Sequence, residues 1–593
     1  MMLPVAANQI KPLTKRDYGL AFASFLITLF VFLPFARIGV DVHHDGIMLK
    51  PALDVLSGQV IFRDTFSQYG ALTTYLQAMA MALFGPTLLV LKQSTVFSYA
   101  LASAFLVLSW RSFLPIGLTA LAYLFWLNFA PFYDRALILL PWSSVYALLF
   151  QSMAMFFLIR SLRRENSTGM EFLTGVLAAA ALWCRAPVGF FLFWAVVGVY
   201  ALFGVLNSRH EGPTLRLSTF RKLWQFVLGF TVITGGYIEY LSRAGALQNW
   251  YYQNFVWPAQ WSGQLGMGIR FIQQRLTPYP NEGMILLAML FLFLAPFSPL
   301  ARRWPLLALD KLGSRILYGA AVMGFLIWAF WSARFVLSML GGWASPVPVV
   351  VCSYFLVSTR HLIQVIRGTR TLDTVNIAAW AAAAVAVASW SQYVPVTCER
   401  HVFWGAAPAF GSMILVGYVF VQRRLVILTL LALLFLIPMS KDRLLIAKAN
   451  LTVPYVTLTA PPTLSGMRVT KQWFAANNRI IESVEKYFHQ TRGNRPIVLE
   501  GADAIYATLT SDLQNPGPLY IWWGMMRDAG FVAQREQFIR EKRPLIMIEG
   551  RPRSYLMPLL TELRYTTLFD DKRILFKVMV PAESDPHANA TSG

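Results

Sequence analysis

Residues 18–36, YGLAFASFLITLFVFLPFA, run without a single charge. At 1.5 Å per residue such a helix crosses the roughly 30 Å of a bilayer's hydrocarbon. No small-residue cleavage site follows it, so the run reads as a retained helix and not a signal peptide. Similar runs recur along the chain. They place spans near 18–38, 87–110, 112–130, 143–160, 171–186, 187–206, 223–242, 283–299, 316–333, 336–357, 374–391, 405–422 and 424–439. The expected fold class is a polytopic α-helical membrane protein of about thirteen spans with a C-terminal soluble α/β domain. Residues 1–439 form the transmembrane core and 440–593 the polar domain.

Composition agrees. Of 593 residues, 56% are hydrophobic and only 13% charged. Soluble globular proteins carry about 25% charged residues, so a large soluble enzyme, a disordered chain and a collagen-like chain are all excluded. Three cysteines exclude a disulfide scaffold or a cysteine-rich zinc protein. Cys184 and Cys352 in apolar stretches, and Cys398 in a loop, read as unpaired thiols.

The net charge of +22 follows the membrane topology. With the N-terminus cytoplasmic, the inner loops collect Lys15, Arg16, Arg111, Arg160, Arg163, Arg164, Arg221, Lys222, Arg302, Arg303 and further basic residues, and most of the excess falls on that side. This is the positive-inside pattern, and no nucleic-acid partner is needed to explain it. An odd span count then puts the C-terminal domain outside. The absence of eukaryotic retention signals and the compact loops point to a bacterial inner membrane with a periplasmic domain.

Two outer segments stand out. In the first outer loop, 40–86, Ile47, Met48, Ala52, Val55 and Leu56 share one helical face and Lys50 with Asp54 the other, as in a helix lying on the membrane surface. Leu72 to Phe84 reads as a second short helix, closed by Gly85-Pro86. The segment 243–282 holds Trp250, Tyr251, Tyr252, Phe255, Trp257 and Trp261. It reads as an aromatic belt or as a platform for sugar rings and isoprene units. In the tail, 469–489 reads as a helix and 496–500, 544–549 and 574–580 as strands, which suggests a small layered domain. No glycine-rich phosphate fingerprint opens a helix there.

Chemistry concentrates in Asp41-Val42-His43-His44-Asp45-Gly46, directly after the first span. Three readings compete: a divalent-metal site, a carboxylate general base at the membrane surface, and a polar turn in which Asp45 caps the helix starting at Gly46. Gly-x-Ser-x-Gly, His-Glu-x-x-His and Walker-type loops are absent, which leaves hydrolase, zincin and ATP-driven chemistry unsupported.

The acidic stretch is followed by Ala52-Leu53-Asp54-Val55-Leu56-Ser57-Gly58, Phe62-Arg63-Asp64-Thr65-Phe66, Tyr69-Gly70 and Leu83-Phe84-Gly85. Over residues 41–110 the chain resembles the GT-C superfamily of membrane glycosyltransferases, which includes protein O-mannosyltransferases and the aminoarabinose transferases of lipid A. Beyond that stretch the likeness is topological. The resemblance implies a GT-C-like catalytic core, a polyprenyl-phosphate-linked sugar donor, a glycan or lipid acceptor approached from the outer face, and an inverting transfer with a first-loop acid as base. By position, Asp45 matches the second member of the family's frequent Asp-Glu pair, and His44 stands where the first acid often stands. Asp41, Asp45 and Asp64 are therefore all candidates, with Asp45 the assigned base. Substrate contacts are implied for Asp41, His43, His44, Lys50, Asp64, Tyr69, Arg334, Arg400 and His401, the cations as partners of the leaving phosphate. Arg63 and Arg185 are further cations of this kind. No cofactor is assigned, and a divalent cation on the two histidines and two aspartates stays open. The alternatives are a transporter or flippase, or an O-antigen ligase or polymerase, acting on a polyprenyl-linked glycan. A transporter would place ionisable groups near mid-membrane with repeat symmetry, which the sequence does not show. Ligases and polymerases carry their long outer loop late in the chain.

Overall fold

The computed structural model describes residues 13–128, 132–133, 138–162, 169–211, 213–256, 374–393, 404–420, 425–491, 496–500, 504–508, 529–550, 555–572 and 575–582, with isolated positions between 316 and 327. The spans expected at 283–299 and 336–357, and most of 316–333, lie outside them.

The N-terminal half is mainly helical. Its helices are α1 (Lys15–Phe32), α2 (His44–Leu56), α3 (Ala71–Phe84), α4 (Leu88–Arg111), α5 (Ile116–Asn128), α6 (Ser143–Ser161), α7 (Met170–Cys184), α8 (Ala186–Glu211), α9 (Pro213–Arg243) and α10 (Leu247–Tyr251). A two-strand antiparallel ribbon, β1 (Phe132–Tyr133) with β2 (Ile138–Leu139), lies between α5 and α6. Later come α11 (Thr374–Ser389), α12 (Ala409–Phe420) and α13 (Leu425–Thr452). Four stretches among the described residues are long and apolar enough to cross a bilayer: Lys15–Arg37, Leu88–Arg111, Ser143–Ser161 and Ala186–Gly204. The expected spans 112–130 and 171–186 are shorter apolar helices, and 223–242 lies within α9.

Between apolar helices there is little hydrophobic drive, so polar contacts and close packing carry association. Thr28 of α1 meets the Ser103 hydroxyl of α4 at 3.1 Å and the Tyr123 hydroxyl of α5 at 3.0 Å. The Tyr123 hydroxyl also donates to the Ser24 carbonyl at 3.0 Å. Helices α7 and α9 approach through glycine: a Cβ on Gly229 would stand 2.2 Å from the Phe172 carbonyl oxygen, and one on Gly175 2.1 Å from that of Phe226.

The first loop forms the two expected helices, but α2 is buried on both sides, with Met48 and Ala52 of its apolar face enclosed as expected. Lys50 and Asp54, the expected solvent face, are both fully buried, whereas Leu56 is exposed. The amphipathic pattern was therefore misread, and the reason is the ion pair between Lys50 Nζ and Asp54 Oδ1. Four residues apart on one helix, the two neutralise each other, and the Thr65 hydroxyl donates to the second Asp54 oxygen at 2.6 Å. Helix α3 stops at Gly85, whose φ of +109° suits a residue without Cβ.

Helix α13 runs past residue 440 to Thr452, and the tail's first strand starts at β3 (Tyr455–Thr457), paired antiparallel with β4 (Arg468–Thr470). Then come α14 (Lys471–Thr491), β5 (Ile497–Glu500), α15 (Ala529–Lys542), β6 (Leu545–Glu549), α16 (Leu556–Glu562), β7 (Tyr565–Asp571) and β8 (Phe576–Pro581). The sheet order is β5-β6-β8-β7, with β5 and β6 parallel and the other pairs antiparallel. A parallel pair needs a long crossover, and α15 lies in it. Strand β5 is buried along its whole length and β6 along all but its last residue, which explains their continuous apolar sequences. One hydrophobic cluster joins this region to the first loop: Val40, Leu49 and Leu53 share a core with Leu464, Ile480, Leu545 and Val578. First loop and C-terminal region therefore lie on the same side of any membrane that α1 crosses.

Candidate active site at the end of the first span

A 3-10 turn, Leu33–Arg37, closes α1 with Pro34 in its first turn. The chain then passes through Gly39, at φ +74°, to Asp41. Asp41 Oδ1 accepts the backbone N–H groups of His43 (3.1 Å) and His44 (2.7 Å), and lies 2.9 Å from His44 Nδ1. The side chain that meets the N–H groups at the start of α2 is thus Asp41, and the expected cap, Asp45, is the helix's second residue. Asp45 instead reaches back, its Oδ2 accepting the Asp41 N–H at 2.9 Å. The reciprocal arrangement satisfies donors at the helix start that would otherwise be orphaned.

The two carboxylates experience opposite environments. Asp45 is fully buried, and its Oδ2 pairs with Lys92 Nζ at 2.7 Å. Burial, aided by the neighbouring Asp41 charge and opposed by Lys92, pushes its carboxyl up to about 6. Asp45 Oδ1 has no hydrogen-bond partner among the described residues. Asp41 keeps 14% of its side chain exposed. Burial raises its carboxyl too, but the His44 ring and backbone N–H, with the charge of Lys92, outweigh that and hold it down at about 2. Lys92 is fully buried, and its Nζ also donates to the Gly39 carbonyl at 2.9 Å. The sequence reading missed Lys92. Its signal was a lone cation near the start of an apolar helix, a costly placement that marks function.

A wall of rings flanks the pair. His44 lies 4.9 Å from Trp142, Trp142 lies 5.5 Å from Tyr69, and Trp142 stacks on Trp404 at 6.0 Å and 14°. Trp404 Nε1 donates to the Tyr99 hydroxyl at 2.7 Å. The Arg185 guanidinium stands 5.6 Å from the Tyr69 ring centre, within cation–π range. Close backbone contact brings Tyr69 and Arg185 together: the Gly70 N–H donates to the Cys184 carbonyl at 3.2 Å. A Cβ at Gly70 would fall 2.0 Å from the Trp183 carbonyl oxygen.

Asp41, His44, Asp45 and Tyr69 therefore come together, and His43 packs edge-on against His44 at 4.9 Å. Lys50 does not join them: enclosed with Asp54, it presents no surface to a phosphate. Asp64 belongs to a separate turn. It holds Arg63 at 2.8 Å and accepts the Val60 N–H at 2.8 Å, while Arg63 donates to the Ala244 carbonyl. The bond from Arg63 shifts its carboxyl down; partial burial opposes this by raising it, and the Val60 N–H adds to the lowering. Arg334, Arg400 and His401 lie outside the described residues, as do Trp257 and Trp261. Among the described residues no three His, Cys, Asp or Glu side chains converge to hold a metal.

No family model and no curated protein matches the chain. Solved structures do. The chain is similar to ArnT from Cupriavidus metallidurans bound to undecaprenyl phosphate, at 14% identity and a TM-score of 0.46, covering 96% of this chain and 99% of that one. The apo state of the same protein aligns at 14% identity and 0.45, covering 95% and 97%. The Archaeoglobus fulgidus oligosaccharyltransferase, in complex with Zn and sulfate, aligns at 12% identity and 0.43, covering 95% of this chain and 72% of that one.

Proposed function

We propose that the chain is an inverting GT-C-type glycosyltransferase that moves a sugar from a polyprenyl-phosphate donor to a hydroxyl of a cell-envelope acceptor. The first loop and the C-terminal region face the periplasm in this reading, because the basic loops favour a cytoplasmic N-terminus. One observation supports it above the others: two carboxylates, one partly exposed and one buried on a lysine, stand beside a wall of rings at the end of the first span. Paired carboxylates with values pushed apart are a pattern of acid–base sites. In the transfer the acceptor oxygen bonds to the anomeric carbon, the bond from that carbon to the phosphate oxygen breaks, and the acceptor proton passes to a carboxylate. Polyprenyl phosphate leaves with the electron pair.

The resemblance puts the base at Asp45, whereas the geometry favours Asp41. A base must be reachable by the proton it takes, and only Asp41 of the pair has exposed surface. Asp45 and Lys92 then hold the loop that carries it. The rings of Trp142 and Tyr69 offer apolar faces to a sugar, and Arg185 offers charge to a phosphate. The test uses purified protein, polyprenyl-phosphate sugars and a panel of envelope acceptors. Donor-dependent transfer that Asp41→Asn lowers at least about a hundredfold is the expected outcome, the scale of a lost general base. Undiminished turnover in that variant removes Asp41 as the base. Labelled lipid crossing liposomes without sugar transfer would favour a flippase instead.

A further inference from the structure

The chain around Asp41 is held from two sides by the far end of the protein. On one side, the Gly39 N–H donates to the Arg468 carbonyl of β4 at 2.8 Å, and Ile38 bridges to Arg468 in strand fashion. On the other, the Ile505 N–H donates to the Val42 carbonyl at 3.1 Å. Ile505 belongs to the short 3-10 turn Ala504–Thr508, which packs on α2, and its side chain is buried in the shared core. The Tyr506 hydroxyl ties the same turn to α14 by donating to Asn477 Oδ1 at 2.7 Å. Gly39 lies between the first span and the carboxylate, and its left-handed conformation gives the chain there a wide choice of directions. Lys92 fixes the Gly39 carbonyl and the Asp45 side chain, but neither contact fixes the peptide at 42.

We propose that the C-terminal region is the clamp that aims the Asp41 carboxylate, with Ile505 as a positioning residue acting through its backbone N–H on Val42. The clamp serves the reaction proposed above, so its kinetic consequence rests on that reading, while its structural consequence does not. This role differs from acceptor binding, which would touch substrate and leave the 39–45 segment as it is.

The experiment is Ile505→Pro in the full-length chain. Proline lacks the donor and is tolerated in the first turn of a helix. Hydrogen exchange at His43 and His44, whose N–H groups are held by Asp41, should quicken about fivefold to tenfold, the scale of one lost hydrogen bond. Residues 545–549 should keep their protection, which reports that the sheet is intact. Turnover should fall by a similar factor with the donor KM unchanged. Unaltered exchange at 43–44, or a change confined to the acceptor KM, overturns the clamp. Should the proline variant lose protection at 545–549 as well, Tyr506→Phe loosens the same turn without touching the backbone, and unaltered exchange at 43–44 in that variant overturns the clamp equally. Quickened exchange in a protein whose wild type transfers no sugar would leave the clamp standing and remove the transferase reading.

Discussion

Asp41 and Asp45 are one residue type four positions apart, yet one is held at about 2 and the other pushed up to about 6. The difference comes from surroundings. Asp41 is bathed in donors, and Asp45 is enclosed with a single cation. For Asp45, the raised value means that ionisation works against folding, so its contribution to stability declines as pH climbs from about 4 to about 6. For Asp41 the sign reverses: its contribution is present above about 4 and is lost only as pH falls toward about 2. Turnover is expected to fall as pH drops through about 6, because protonated Asp45 releases Lys92. A pH–rate profile of Asp45→Asn should lose that inflection. Lys92→Met should cost about 3–5 kcal/mol at pH 8, where it strands a buried carboxylate, and clearly less at pH 5, where Asp45 takes up a proton. Thermal unfolding of the single variant and of Lys92→Met/Asp45→Asn, which should recover much of the loss, checks this.

At the scale of elements, α7 and α9 lie against each other without room for a side chain at Gly229. Gly229→Val should force the helices apart and lower the unfolding temperature by several degrees, measurable in detergent by differential scanning fluorimetry; Gly198→Ala, where nothing stands within 4 Å, should not. Elements of this kind were legible in the sequence to different depths. Helix α3 could be read to its last turn because Gly85-Pro86 forbids continuation. The strands β5 and β6 could be read because a buried parallel pair leaves an unbroken apolar run. Strand β7 and the β3–β4 hairpin were missed, since half-exposed strands carry no such run. Helix α2 was found, but its polar face is buried and not wet. Periodicity tells which side chains share a face, and Lys50 with Asp54 look like a wet face until each is seen to neutralise the other. The site was half legible for a related reason. Asp41 to Asp45 are adjacent in the chain, while Lys92, Trp142 and Trp404 reach them only through the packing of α4, α6 and the segment before α12.

On the scale of the whole molecule, a shared core fixes topology without reference to any single span. Because the first loop and the C-terminal region pack together, the number of membrane crossings between them is even. Cysteines introduced at Ser57 and Lys471, both exposed, should react with an impermeant maleimide from the same side of sealed vesicles, opposite to a tag at the N-terminus. Labelling from opposite sides would contradict the fold. The same core also sets an order of events during biosynthesis. A ribosome delivers residues 40–91 early, but the apolar partners in β6 and β8 emerge only hundreds of residues later. Contacts of such long range close slowly, and the acidic loop keeps its apolar side uncovered until the final strand has been made. A nascent chain halted before β8 would thus hold every residue of the proposed catalytic cluster and still lack the packing that completes it.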